Sequence, residues 1–323
     1  MPTTYLSVAS CVLLWAFSAG AAAAERIYIL SQDGAILSEV AAGADAPAEG
    51  ATVALDKAPA SFALAPDAPL AYVTHSEIGQ ISVVDLDRHR VARTIKVPGS
   101  PFGIAVGTGG RLFVGDWNEG HVTVVEPGGG SGEDAPRMTR VGVGPAPGHV
   151  VLSPDEAMLF VANREGDSVS AIRTEELTLA ATIPVGHAPF AMALSPDGAR
   201  LYVGNVQAGT VTLVDTAKLA VAETWKTGAM PYGTAVTPDG ARLLVTHQSS
   251  GTLGVFGGND EPIAKIKVGN YPEGVAIGGG GTRAYVANWF SDDVSVIDLE
   301  SMTEIRRIKS GAGPRAVAVR AAP

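Results

Sequence analysis

The stretch Ser195-Pro196-Asp197-Gly198-Ala199-Arg200-Leu201-Tyr202-Val203-Gly204-Asn205 decides the fold, because the chain keeps repeating it. Thr237-Pro238-Asp239-Gly240-Ala241-Arg242-Leu243-Leu244-Val245-Thr246-His247 is a second copy, and Ala284 to Asp298 carries a third without the turn. Pro sets φ for a tight turn and Gly accepts the positive φ at its end, so each copy reads as turn followed by strand. Downstream of each, Val122–Val125, Val211–Val214 and Val294–Ile297 alternate in period two, as partly covered strands do. Each unit opens on Pro-x-small and closes on a segment like Ile-x-Val-Gly.

The landmark residue of the second strand falls at Tyr72, Phe113, Phe160, Tyr202, Leu244 and Tyr285, at spacings of 41, 47, 42, 42 and 41. That period fits one four-stranded propeller blade. The longer spacing contains Gly128 to Asp134, a glycine-rich insertion expected to be a surface loop. Six units run from Pro59 to Pro314, and the ends supply a seventh. Arg315 to Arg320 matches a first strand. Arg26 to Leu30 matches a second strand, with Ile36 to Val40 and Ala51 to Leu55 available for the others. The expected fold is therefore an all-β, seven-bladed β-propeller over 25–323, closed by pairing of its first and last strands. Closure of this kind leaves no open sheet edge.

Residues 1–24 read differently. Leu6 to Ala24 carries no charge, Leu13 to Phe17 forms an apolar centre, and Ala21 to Ala24 supplies small residues. The segment is expected to be a secretory signal cut before Glu25, which predicts a periplasmic or secreted protein with no membrane span after cleavage. A retained anchor is the rival reading. Val8-Ala9-Ser10-Cys11 resembles a lipoprotein box, but the strongest apolar run follows Cys11, so Cys11 is read as part of the apolar segment. It is the only cysteine, so the mature chain would lack disulfides, thiolate nucleophiles and Cys-ligated metals. The net charge of −10, from 33 acidic and 23 basic residues, repels phosphate backbones and argues against a nucleic-acid partner.

The strands Tyr72-Val73-Thr74-His75, Phe160-Val161-Ala162-Asn163, Tyr202-Val203-Gly204-Asn205 and Tyr285-Val286-Ala287-Asn288, with Ser-Pro-Asp-Gly turns, resemble the YVTN family of β-propeller repeats. The resemblance spans essentially all of 25–323. It implies a seven-bladed fold, and the exported members it resembles include propellers tied to PQQ-dependent quinoprotein systems, amine-dehydrogenase propeller subunits and haem d1 propellers.

A meander of this kind puts the Pro-x-small segments and the loops after the second strands at one end of the barrel. The Pro-Asp-Gly turns lie at the other. The first end collects the diverse residues, and variation at one mouth of a repetitive scaffold is what a binding site looks like. The candidate binding face comprises His75, Phe102, Asp116, Trp117, His149, Arg164, Phe190, Tyr232, His247, Glu273, Trp289 and Arg315. Each has a structural reading as well. His75 and His247 replace a strand-end Asn that is expected to bond its neighbours. Trp117 and Trp289 suit either an interface or packing between blades. Glu273 and Arg315 occupy matching positions in consecutive blades and are expected to pair. His89, His121 and His187 show no evident partner.

No catalytic constellation stands out, and no G-x-S-x-G elbow is present. The expectation is a non-catalytic propeller that binds a protein partner or small ligand, accessory to a periplasmic redox system. No cofactor is predicted. Two alternatives remain open. One is a metal-assisted lyase or lactonase using His75, His149 or His247 with Asp116 or Glu273. The other is a haem d1- or quinone-linked redox propeller.

Overall fold

The computed structural model describes residues 25–127, 136–258 and 260–320. The expected signal segment, Cys11 and the whole glycine-rich insertion lie outside the described residues. Within them the chain forms 28 strands and four short 3-10 turns, with no α-helix. The strands make seven four-stranded antiparallel sheets. Blade 1 shows the plan, with strands Pro59–Leu64, Leu70–His75, Gln80–Asp85 and Arg90–Lys96 running from the axis outward. Blades 2 to 6 repeat it with inner strands Pro101–Val106, Pro147–Leu152, Pro189–Leu194, Pro231–Val236 and Pro272–Gly278.

Blade 7 is assembled from both ends of the chain. Its inner strand is Pro314–Arg320, which pairs antiparallel with Arg26–Ser31, so that Tyr28 faces Ala318 and Ile29 faces Val317. Ile36–Ala41 and Thr52–Ala54 complete the sheet. The expected closure is thus the observed one.

The repeat period has a packing cause. Tyr72 of blade 1 packs among Ile104, Leu112 and Val114 of blade 2. Phe113, Phe160, Tyr202, Leu244 and Tyr285 each meet the following blade in the same way. Tyr28 closes the circle against Phe62 and Val73 of blade 1. Neighbouring residues on the same strand face the preceding blade, as Ala71 and Val73 do toward blade 7. The core is therefore a ring of apolar layers between blades, and one large apolar landmark per unit is what each layer needs.

At the turn end, Gly198 (φ 71) and Gly240 (φ 71) take the left-handed conformation that the Pro-Asp-Gly reading requires. Blade 3 places Glu156 there at φ 59, so this turn tolerates a side chain at the cost of some strain.

Candidate functional site: the axial mouth

Two local devices build the opposite end. The residue before the inner-strand proline is left-handed in most blades, including Ala146 (φ 51), Ala188 (φ 54), Met230 (φ 56) and Tyr271 (φ 55). Its carbonyl accepts the N–H of the residue just past the second strand. Arg164 bonds Ala146 at 3.0 Å, Val206 bonds Ala188 at 2.9 Å, Gln248 bonds Met230 at 3.1 Å and Trp289 bonds Tyr271 at 3.0 Å. Trp117 bonds Ser100, and Gln32 bonds Gly313, in the same position. The second device is the strand-end residue itself. Asn163 donates from Nδ2 to Ser168 and Ser170, and its Oδ1 accepts the N–H of Gly144 at 3.1 Å.

These strand-end residues are buried. His75 is 0 % exposed, Asp116 2 % and His247 2 %. His75 sets Nδ1 3.1 Å from the carbonyl of Lys57 and Nε2 2.9 Å from Ser82 Oγ, which is the hydrogen-bonding role read from the sequence. His247 has no hydrogen-bond partner at either ring nitrogen, and burial, with Lys265 adding to it, holds its pKa down at about 4. These three of the twelve candidate residues therefore sit inside their blades rather than on the open mouth.

The others converge. The ring centroids of Phe102 and Trp117 are 4.6 Å apart, those of Phe102 and Phe190 6.0 Å, and those of Phe190 and Tyr232 4.4 Å. Phe102, Phe190 and Tyr232 come from blades 2, 4 and 5, so the cluster skips blade 3. That blade carries Gly148 at the matching position, and a Cβ there would lie 3.0 Å from Phe190 and 3.3 Å from Trp117. The missing side chain of blade 3 makes the room in which its neighbours' rings meet.

Arg315 reaches in from blade 7. Its guanidinium lies 5.0 Å from the Phe102 ring centroid and 5.7 Å from that of Trp289. It donates to Gln32 Oε1 at 2.5 Å and to the Tyr232 hydroxyl at 3.0 Å. Its Nε is 3.7 Å from Glu273 Oε2, an ion pair between consecutive blades as expected. Gln248 donates to the other oxygen of Glu273 at 3.0 Å. Burial nevertheless pushes the Glu273 carboxyl up to about 7, against the lowering effects of Arg315 and Gln248. Arg164 lies over Trp117 with 5.8 Å to the ring.

Beneath the rings is an axial cavity of about 170 Å³, lined by Phe62, His149, Thr234 and Val317 among others. His149 occupies the small-residue position of blade 3. Its Nδ1 accepts the N–H of Met192 of blade 4 at 3.3 Å, and burial lowers its pKa to about 4, so the ring is neutral at pH 7. Beside the mouth runs a groove of about 590 Å³ bounded by Arg164, Val206, Lys226 and Met230.

The sequence reading missed two sets of residues. The rings of Tyr271 and Phe290 lie 5.0 Å apart at a tilt of 51°, and Phe290, next to Trp289 in the chain, is 68 % exposed. Their signal was present, since both neighbour residues already placed at this end. The second set corrects an expectation. His89, His121 and His187 all find partners: His89 Nε2 lies 3.3 Å from Glu39 Oε2, His187 Nδ1 2.9 Å from Asp167 Oδ1 and His121 Nδ1 3.2 Å from the carbonyl of Glu119. His121 Nε2 only faces Asp116 Oδ2 at 3.6 Å, with no hydrogen bond. Among the described residues, Asp116, Glu119 and His121 are the only group of three such side chains whose ligand atoms lie within 4.8 Å of one another. His75, His149 and His247, from blades 1, 3 and 5, are not brought together as a metal set.

Comparison with known proteins agrees on the fold. The family model described as "Lactonase, 7-bladed beta-propeller" matches residues 134–220, which hold most of blades 3 and 4. No curated protein sequence matches the chain. Hydrazine synthase of Kuenenia stuttgartiensis superimposes with a TM-score of 0.72 at 20% identity, over 80% of this chain and 89% of that one. A functionally unknown protein of Desulfotomaculum acetoxidans superimposes with a TM-score of 0.78 at 12% identity, over 91% of this chain and 98% of that one. At such identities the likeness is one of fold, and the chain is a seven-bladed propeller by its own seven sheets.

Proposed function

We propose that this is an exported binding propeller whose working surface is the axial mouth, where a periplasmic protein partner or a small ligand docks against Trp117, Trp289 and the groove beside Arg164. The observation that carries the reading is the convergence of aromatic residues from blades 2, 4, 5 and 6 around one guanidinium, Arg315. Rigid rings offer contact area at low entropic cost, and clustered aromatic and arginine side chains are the usual anchors of interfaces. The exposed Phe290 extends the same apolar surface.

The test is paired. Trp117→Ala with Trp289→Ala should leave the melting temperature nearly unchanged. It should also weaken binding of any ligand that quenches the wild-type tryptophan emission, by on the order of 2 kcal/mol per anchor. A large drop in melting temperature with no loss of binding would assign both rings to packing and end the interface reading.

A second reading, lactone hydrolysis, is favoured by the family match over residues 134–220. In it Glu273, with a pKa of about 7, is the general base that takes a proton from water attacking the lactone carbonyl. Arg315 beside it would favour the developing oxyanion. Release of acid from a δ-lactone, abolished by Glu273→Gln, would support it. Equal rates with and without the wild-type protein would remove it. The hydrazine synthase likeness is one of fold and lends this chain no redox cofactor.

A further inference from the structure

Blade 2 breaks a pattern kept by three other blades. In blades 3, 4 and 6 the second strand ends in Asn, and the amide donates to the residues five and seven positions on. Asn163 bonds Ser168 at 3.0 Å and Ser170 at 2.9 Å. Asn205 bonds Thr210 at 3.0 Å and Thr212 at 2.9 Å. Asn288 bonds Asp293 at 2.7 Å and Ser295 at 2.9 Å. One donor group thus ties the second strand to two oxygens of the third.

In blade 2 the same three positions are Asp116, His121 and Thr123. The Asp116 carboxylate has no hydrogen to give. Its Oδ1 accepts the N–H of Ser100 at 3.0 Å and of Asn118 at 3.1 Å, and its Oδ2 is buried without a hydrogen-bond partner. His121 sets Nδ1 3.2 Å from the carbonyl of Glu119, so that nitrogen carries the proton and Nε2 offers a lone pair. Nε2 is also buried and unpartnered, and it faces Asp116 Oδ2 at 3.6 Å. Thr123 Oγ1 is buried and unpartnered as well. The three residues are 2 %, 8 % and 2 % exposed. Acceptors facing one another in a dry site repel unless something positive lies between them.

We propose that blade 2 holds a divalent transition-metal cation of the zinc class, bound by Asp116 Oδ2 and His121 Nε2; the exposed Glu119 carboxylate, 4.0 Å from the other ring nitrogen, would turn in to close the site from the solvent side. Three features fit that chemistry. Imidazole with carboxylate is a ligand set for Zn²⁺ and its close relatives rather than for Mg²⁺ or Ca²⁺. Two ligands each about 2.0–2.1 Å from a tetrahedral zinc lie roughly 3.4 Å apart, close to the separation seen here. The bond from Nδ1 to a backbone carbonyl is how a metal-bound histidine is commonly oriented. Thr123 Oγ1 is left to accept or donate to a metal-bound water. Glu119 is 53 % exposed and 3.3 Å from Arg140 Nη1, so a cation entering from this side passes an exposed ion pair. The ion would do for blade 2 what the asparagine amide does in blades 3, 4 and 6, and it would hold the corner on which Trp117 stands.

The test uses the full chain, without a histidine tag, stripped with a chelator and titrated with Zn²⁺ and with Co²⁺. The wild type should take up one equivalent, melt at a higher temperature when loaded, and give the visible absorption of tetrahedral Co²⁺. Asp116→Asn restores the asparagine pattern, so this variant should fold, bind no metal, and melt at a temperature that neither Zn²⁺ nor chelator changes. His121→Ala should also lose the Co²⁺ spectrum. Two results would overturn the proposal. One is a wild type that takes up no metal and melts identically with and without chelator, which would mean that a second proton on His121 bridges the pair. The other is uptake that persists in both variants, which would place the metal elsewhere.

Discussion

Arg315 and Tyr232 are joined by a hydrogen bond of 3.0 Å although one belongs to blade 7 and the other to blade 5. The bond crosses the mouth of the ring, and the same guanidinium contacts Gln32, Glu273, Phe102 and Trp289. A single side chain therefore ties together what the repeat holds apart. Arg315→Met should leave Tyr232, Gln32 and Glu273 without their shared partner and lower stability by about 1–3 kcal/mol in urea unfolding. Tyr232→Phe removes one neutral partner and should cost about 1 kcal/mol. Equal and negligible effects would mean that the arginine is a bystander at the mouth.

Closure of the ring predicts a different failure. Deleting residues 314–323 removes the strand that pairs with Arg26–Ser31 and exposes the inner side of Tyr28, Ile29 and Leu30. The edge of Arg26–Ser31 then loses its partner along its whole length, and exposed edges template association. Size-exclusion chromatography should show aggregates, and thermal unfolding should lose its single cooperative step. A monomer that melts like the full chain would show that the terminal pairing contributes little.

The room left by Gly148 can be filled on purpose. Gly148→Val should push into Phe190 and Trp117, cost about 1–3 kcal/mol as overpacking does, and shift the tryptophan emission. Gly142 supplies the control, since a Cβ there meets nothing within 4 Å, and Gly142→Ala should be near neutral. The same loss in both would point to the backbone rather than to the rings.

Stability should depend on pH through three groups, two histidines opposed by one carboxyl. His247, with a pKa near 4 in the folded protein against an ordinary 6.5, favours folding above pH 6.5. That contribution is lost as the pH falls toward 4, because the unfolded chain takes up a proton that the folded one refuses. His149 acts in the same direction. Glu273, raised from 4.5 to about 7, works the other way: its contribution is present below pH 4.5 and is lost as the pH rises through 7. Unfolding free energies measured from pH 4 to pH 8 should therefore show a loss on the acid side that His247→Asn reduces by on the order of 2 kcal/mol. Glu273→Gln should remove the fall between pH 5 and pH 8. Profiles of both variants that parallel the wild type would refute the assignment.

How much of this was legible in the sequence follows from the range of each interaction. The positions of Tyr72, Phe113, Phe160, Tyr202, Leu244 and Tyr285 determined the blade count, because each blade needs one large residue to fill the layer shared with the next. The half-units at the two ends determined closure, because an unpaired strand at each terminus has only the other to pair with. Which end of the barrel collects the diverse residues was also readable, since a meander alternates its loops between two faces. The meeting of Phe102, Phe190 and Tyr232 was not, because contact across the axis depends on ring curvature and on the room left by Gly148. Nor was the burial of His75, Asp116 and His247. A strand end and an exposed rim differ by one residue, and the carbonyl of the residue before each proline, or just ahead of it, decides which side of that boundary a residue occupies. The Asp116–His121 pair lies between these cases. Its five-residue spacing across a tight hairpin is local and could have been read as a cross-strand contact. Only the tertiary structure, which closes neighbouring chain over both side chains, makes their facing lone pairs costly enough to call for a cation.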